Sequence, residues 1–223
     1  FYSILCLFAA CFTTPSFANF VTLLTGWVLC VRRRTVTGMI EAAGVSETTH
    51  HERFHRFFSK ARWQLDTLAK ILLKTLVDRF IPLGQPIHLA GDDTLAKKTG
   101  RKIFCAGRWR DAVLSTQEEF IPRWGLNFVI LSLTLRLSFW PNRSIGFPFM
   151  ARLHRKEKSF NDPAQHRTPS QLLLEMIILV ANWFPERIFY LTVDGAYANE
   201  IIFRGLPANV ILLSRTRSDA TLY

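Results

Sequence analysis

Apolar and polar positions change their period along this chain, and the changes mark its organisation. Residues 1–31 carry no charged side chain, and Arg32-Arg33-Arg34 follow at once. Thr13-Thr14-Pro15-Ser16 interrupts that run. Thr14 suits a helix N-cap, and Pro15 suits the first helical position, where a missing N–H costs nothing. The interruption leaves two apolar pieces, each short of the roughly 20 residues a membrane span needs. Two buried helices are expected, with a signal peptide or membrane anchor as the rival reading of residues 1–31.

Residues 35–42 predict a short helix, Ala43-Gly44-Val45 a turn, and Ser46 the start of another helix. The outline is that of a helix-turn-helix, but many helical bundles share it, and simple packing is the stronger reading. From Thr48 onward a helix is expected with Phe54, Phe57 and Phe58 on one side and most basic residues elsewhere. His51 and His55 have the spacing of metal ligands on one helix face. With no third ligand nearby they read as solvated or phosphate-facing. Over residues 64–80, Leu65, Leu68, Ile71, Leu72, Leu76 and Val77 recur at helical period, and Gly84-Gln85-Pro86 punctuates the chain. Residues 1–84 are thus expected to form an all-helical N-terminal domain, a candidate for DNA binding.

Beyond residue 85 the period shifts toward two. Strands are expected over 86–91, near 103–106, and across 127–139, where Leu131-Ser132-Leu133-Thr134-Leu135 alternates strictly. Residues 147–153 read either as an extension of that strand or as a loop, and the polar stretch 154–167 as an exposed loop. Thr168-Pro169-Ser170-Gln171 is a capping-box helix start, and the helix over 172–183 stops before Pro185. A strand to Asp194, a helix over about 198–204 and a strand over 209–214 complete the order. Three strands, then helix, strand, helix, strand, give an α/β fold: a mixed sheet flanked by helices over residues 85–223.

Composition narrows the class. The 223 residues hold 49% hydrophobic and 13% aromatic side chains, which excludes a disordered chain. Lys and Arg number 28 against 17 Asp and Glu, a net charge of +11, so a polyanion is the natural partner. Cys6, Cys11, Cys30 and Cys105 form no Cys-x-x-Cys pair. Neither a zinc site nor a disulfide framework is indicated, and a reducing cytoplasm fits. The chain opens on Phe1 rather than Met, which reads as a fragment.

Two stretches carry the candidate chemistry. Ile87-His88-Leu89-Ala90-Gly91-Asp92-Asp93-Thr94 reads as a short apolar strand running into two carboxylates, and Phe189-Tyr190-Leu191-Thr192-Val193-Asp194-Gly195 repeats the device. A right-handed crossover can set the second strand beside the first, which would aim the carboxylates at one spot. A hard divalent cation such as Mg²⁺ takes such oxygen ligands together with substrate phosphates.

The residues Gly91-Asp92-Asp93-Thr94, Lys97-Lys98-Thr99-Gly100 and Val193-Asp194-Gly195-Ala196-Tyr197 resemble those of the DDE transposases of the IS4/IS701-like kind, the DDE superfamily endonucleases. His50-His51, Phe54-His55, Arg56-Phe57 and Ala61-Arg62-Trp63 resemble that family's N-terminal region, and Arg215-Thr216-Arg217-Ser218-Asp219 resembles its stretch after the last strand. The resemblance implies a ribonuclease-H-like catalytic domain and metal-dependent hydrolysis and strand transfer at transposon ends. It implies two Mg²⁺ ions, with Mn²⁺ as a substitute, double-stranded DNA as partner, a homodimer when active, and a cytoplasmic, nucleoid-associated protein. The catalytic and metal-binding aspartates map onto Asp93, directly before Thr94, and onto Asp194. Asp92 is either an auxiliary metal ligand or is satisfied by the neighbouring lysines. The family's third carboxylate, a Glu in a Tyr-x2-Arg-x3-Glu pattern, has no counterpart after Asp194, so the site reads as C-terminally truncated. Lys97, Lys98, Arg101 and Lys102 suit DNA phosphates or form a solvated loop. Arg152, Arg155, Lys156, Lys158 and Arg167 form a second basic cluster with the same two readings. Trp109, Trp124 and Trp140 either stack on bases or belong to the core. A binding remnant with no working site, or a membrane-anchored protein, are the alternative functions.

Overall fold

The computed structural model describes residues 1–100, 102–116 and 118–215, so Arg101 and residues 216–219 of the tail lie outside the described residues. The chain forms two compact units, Phe1–Ile71 and Leu72–Tyr223.

The described elements of the first unit are helices: α1 (Tyr2–Cys6), α2 (Thr14–Leu29), α3 (Val36–Ala42), α4 (Glu52–Ser59) and the beginning of α5 (Leu65–Phe80). Thr13 is the N-cap residue of α2, with Pro15 in its first turn. Leu23, Met39, Ile40, Phe54 and Phe57 form the core of this unit, with Phe12, Phe20 and Trp63 packed against it. Helices α2 and α3 approach so closely that a Cβ on Gly26 would overlap the Met39 carbonyl.

Three local expectations fail here. Residues 46–51 form turns, and α4 begins only at Glu52. Phe58 is exposed, because a helix this short turns only Phe54 and Phe57 inward. Residues 1–31 are not two buried helices: α1 buries only Leu5, and α2 leaves Trp27, Val28 and Leu29 exposed. Among the described residues, no helix is long and apolar enough to cross a membrane.

The second unit carries a six-stranded mixed sheet, with β1 (Ile87–Lys97), β2 (Gly107–Arg110), β3 (Pro122–Arg136), β4 (Ser144–His154), β5 (Phe189–Val193) and β6 (Val210–Ser214). The order is β2-β3-β1-β5-β6, and β4 also pairs with β3. Strands β1, β5 and β6 run parallel; β2, β3 and β4 join antiparallel. Helices α6 (Pro169–Trp183) and α7 (Glu200–Gly205) lie in the two crossovers. The capping box at Thr168 is fully formed: its hydroxyl accepts from Gln171 N, while Gln171 Oε1 accepts from Thr168 N.

Strand β3 alternates as its sequence demands. Gly125, Asn127, Val129, Leu131, Leu133 and Leu135 are buried, and the residues between them are half-buried. The buried set faces α6, which packs against β3 and β4 through a face built on Leu172, Leu173, Met176 and Ile177. Fully burying each of these large side chains contributes about 1.5–3 kcal/mol. Gly91 of β1 lies under that helix: a Cβ there would come within 2.7 Å of Leu173 Cδ1.

Two strand assignments change. Residues 103–106 turn, and the strand is Gly107–Arg110, set by its pairing with Pro122–Gly125 of β3. The 147–153 segment belongs to a separate strand, β4, paired with β3 from Ser144 to His154. Its Pro148 adjoins the register shift between Leu131 and Ser132, where a missing N–H does not interrupt the ladder.

Candidate active site

The parallel pair β1–β5 ends with Gly91 opposite Val193. Strand β1 does not end there, contrary to the expectation of a carboxylate at a strand terminus. It continues to Lys97, because β3 still pairs with it, Asp92 opposite Ile130 and Asp93 opposite Val129. The polar sequence Asp92-Asp93-Thr94 is held in strand form by its neighbour rather than by its own propensity. The chain leaves β5 at Asp194, whose backbone is still extended (φ −71°, ψ 159°). Continuing the register sets Asp194 level with Asp92. Three carboxylates therefore meet at one corner, where β1 runs on and β5 stops.

Alternation separates them. Asp93 follows Ile87, Leu89 and Gly91 onto the α6 side of the sheet, and Asp92 follows His88 and Ala90 onto the other. Asp194, one residue beyond the inward-facing Val193, falls on the side of Asp92. Asp92 and Asp194 share one local device. Asp92 Oδ1 accepts the N–H of Asp93 at 2.8 Å, and Asp194 Oδ1 accepts the N–H of Gly195 at 2.7 Å. Asp93 has a different partner, Tyr197, whose hydroxyl donates to Asp93 Oδ1 at 3.5 Å. Tyr197 is buried in the single turn that Asp194 opens, and Asn199 next to that turn donates to Ser170 Oγ of α6 at 2.7 Å.

The charges respond to this crowding. Burial holds the Asp92 carboxyl above the usual carboxylate range, and the charges of Asp93 and Asp194 push it the same way against the Asp93 N–H. Burial, then the carboxylates of Asp93 and Asp92, raise the Tyr197 phenol far above its ordinary value, so it stays a donor. On β4, burial lowers the His154 imidazole, the nearby His166 lowers it further, and Asp93 opposes both.

An oxygen-only donor set of mutually repelling carboxylates suits a hard divalent cation, which typically takes one or two of them. The residues present fit such an ion as a partial shell. Among the described residues, no group of three or more His, Cys, Asp or Glu side chains is arranged to hold a metal. That includes His50, His51 and His55, whose exposed rings lie 4.4 and 5.9 Å apart in sequence order.

The basic residues divide more sharply than the sequence suggests. Lys97 Nζ lies 2.6 Å from Asp111 Oδ2, an acid that is only 2% exposed. Arg123 approaches the same oxygen at 4.0 Å, and the Lys97 hydrogen bond draws the Asp111 carboxyl below its usual range. Lys156 Nζ donates to Arg108 O at 2.7 Å and sits 4.9 Å from the centre of the Trp109 ring. Arg155 lies over the rings of Phe104 and Phe160 and donates to Ser159 O. Arg167 pairs with Glu175 at 3.0 Å. Lys98, Lys102 and Lys158 are exposed. Trp109 is flanked by Lys156 and by the His154 ring at 4.8 Å, and Trp124 donates to Gly100 O. Trp140 is half exposed, beside Phe139 at the β3–β4 turn.

Compared with known families, residues 7–223 match the model of the DDE superfamily endonucleases. The chain belongs to that family. No curated protein and no solved structure matches it. For a DDE superfamily endonuclease the mixed sheet is the expected scaffold, and nuclease chemistry of the transposase kind on DNA is the general activity. Sequence reasoning missed Tyr197, His154 and Asp111 as partners of the site and its margin. Tyr197 stood in plain view within Asp194-Gly195-Ala196-Tyr197, but its direction depends on the turn that Asp194 caps.

Proposed function

We propose that this DDE superfamily endonuclease is a DNA transposase that hydrolyses phosphodiesters at transposon ends and transfers the freed strand. The observation that carries the reading is the parallel pairing of β1 with β5, which brings Asp92, Asp93 and Asp194 to one corner. The carboxylates from β1 and Asp194 hold the divalent cations, two Mg²⁺ or Mn²⁺ in their place. When bound, such ions activate the attacking hydroxyl and stabilise the leaving oxygen. The protein's own part is positional. The sheet fixes the distance between the two acidic strands, and the single turn at Asp194 holds the end of β5.

Lys98, Lys102 and Lys158, all exposed, contact DNA phosphates, and Arg101 has the same role by sequence. Lys97, Arg155 and Lys156 spend part of their donor capacity within the protein, so their share of phosphate binding is smaller. Residues 1–84 serve as a DNA-binding helical domain. The protein works as a dimer, on chromosomal DNA in the cytoplasm.

The test is nicking of plasmid DNA carrying the flanking sequence of the gene, by the product of its whole reading frame. Cleavage requires Mg²⁺ or Mn²⁺ and is lost both in Asp194→Asn and in the double variant Asp92→Asn, Asp93→Asn. Cleavage that survives these substitutions, or proceeds in chelator, rules the reading out.

A further inference from the structure

Resting on the nuclease reading above for its choice of DNA, we infer that a ladder of rings and cations at the margin of the sheet binds unpaired nucleotides. The ladder ends in the exposed Phe104, and base stacking on that ring is its means of binding.

Register sets the ladder beside the acidic corner. Gly125 of β3 pairs with both Lys97 and Gly107, and Asn127 with both Leu95 and His154. Strands β2 and β4 therefore follow one another along the edge of β3 away from β1. His154 lies level with Leu95, two residues past Asp93, at two strand spacings or roughly 10 Å across the sheet. From there planar and cationic groups succeed one another. The His154 ring lies 4.8 Å from that of Trp109 and 6.0 Å from that of His166. His166 meets Phe160 edge-on at 6.1 Å, and the Arg155 guanidinium lies 4.0 Å from the centre of Phe160 and 5.2 Å from that of Phe104. Phe104 ends the series, 74% exposed. One face of its ring backs on the guanidinium, and the other is open to take a base.

Packing alone does not account for this arrangement. Trp109 Nε1, His154 Nδ1 and Arg155 Nε are buried with no hydrogen-bond partner among the described residues, which costs stability. Arg155 and Lys156 donate to the backbone oxygens of Ser159 and Arg108, and neither pairs with a carboxylate among the described residues. Unneutralised cations interleaved with ring faces are the chemistry of a groove for single-stranded nucleic acid. Lys102 and Lys158, both exposed, precede Phe104 and Phe160 by two residues and extend the charge. A duplex keeps its base faces stacked inside, so the occupant is the unpaired strand.

Fluorescence anisotropy of the 223-residue chain in chelator, with labelled oligo-dT and an abasic strand of equal length, tests the ladder apart from the acidic corner. The abasic strand keeps the phosphates and removes the bases, and wild type is expected to bind it more weakly than oligo-dT. Phe104→Ala should weaken oligo-dT binding about 5- to 150-fold, the range of one base–aromatic stack, and leave the abasic strand within about two-fold. Its position is exposed, so the fold is kept, and a melting curve checks this. Phe104→Trp keeps a ring face and should bind as wild type does. Arg155→Lys keeps the charge but not the planar group behind the ring, so it should lose affinity for oligo-dT alone. Asp194→Asn should change neither affinity. Wild-type affinity for oligo-dT in Phe104→Ala overturns the assignment, as does equal binding of both strands by wild type, and either leaves the nuclease reading standing. Tighter binding of oligo-U than of oligo-dT makes the surface an RNA site and overturns the choice of DNA. A chain that leaves plasmid DNA uncut yet binds oligo-dT through Phe104 loses the nuclease reading and keeps the ladder.

Discussion

On the α6 side of the sheet, Ile87, Leu89, Leu131, Leu133, Phe189 and Leu191 are each at most 1% exposed. On the other side the same strands present His88, Asp92 and Thr192 to solvent, and β6 adds Ile211 and Leu213 at 44% and 45% exposure. One residue of register separates the two sets, so a slip by one would exchange core and corner together. The contrast also explains why acidic residues are tolerated on a central strand. Their neighbours on β1 carry the burial, and the carboxylates lie beyond the last parallel pair, Gly91 with Val193.

Substitutions can break or sharpen that contrast. The largest stability effect is expected from Ile177→Ala on α6, which is 1% exposed: a loss of about 2–5 kcal/mol in urea unfolding. Gly91→Ala should cost about 1–3 kcal/mol, because the added methyl meets the fully buried Leu173. Ile211→Thr on the open face should change stability by less than about 0.5 kcal/mol. A cost there matching that of Ile177→Ala would show that the second face is packed after all.

A pH experiment addresses the margin of the sheet. The carboxyl of Asp111 is drawn below its unfolded value, near 3.9, by Lys97. Its contribution is therefore present above about pH 4 and lost as acid protonates it. Lys97→Met should lower the melting temperature at neutral pH, with the gap to wild type closing below about pH 4. A gap that stays constant into acid would show that Lys97 supports the fold by packing alone.

The parts of this fold that the sequence makes legible are those where one periodicity dominates. The alternation of β3 and the capping box of α6 are both visible as patterns, and α5, β5 and β6 lie within a residue of expectation. The failures occur where a distant neighbour overrides local preference. Strand β1 passes through Asp92-Asp93-Thr94 because β3 pairs with it, and β4 holds a proline because it pairs on one side only, next to a bulge. The candidate site was legible as two acidic stretches on adjacent strands. Which carboxylate faces which side was not, because direction follows from register, and register is a property of two strands together.

The pairing of β1 with β5 also bears on the order in which the molecule comes into being. Strands β1, β3 and β4 can assemble from nearby segments, but β5 must return to β1 after the whole of α6 has been made. Such long-range closure is slow relative to hairpin formation. A chain emerging from the ribosome therefore carries Asp92 and Asp93 well before Asp194 exists to face them. Pulse-labelled hydrogen exchange should find the β3–β4 amides protected before those of β5. The acidic corner is then assembled late, and a half-made chain carries the two aspartates of β1 without Asp194.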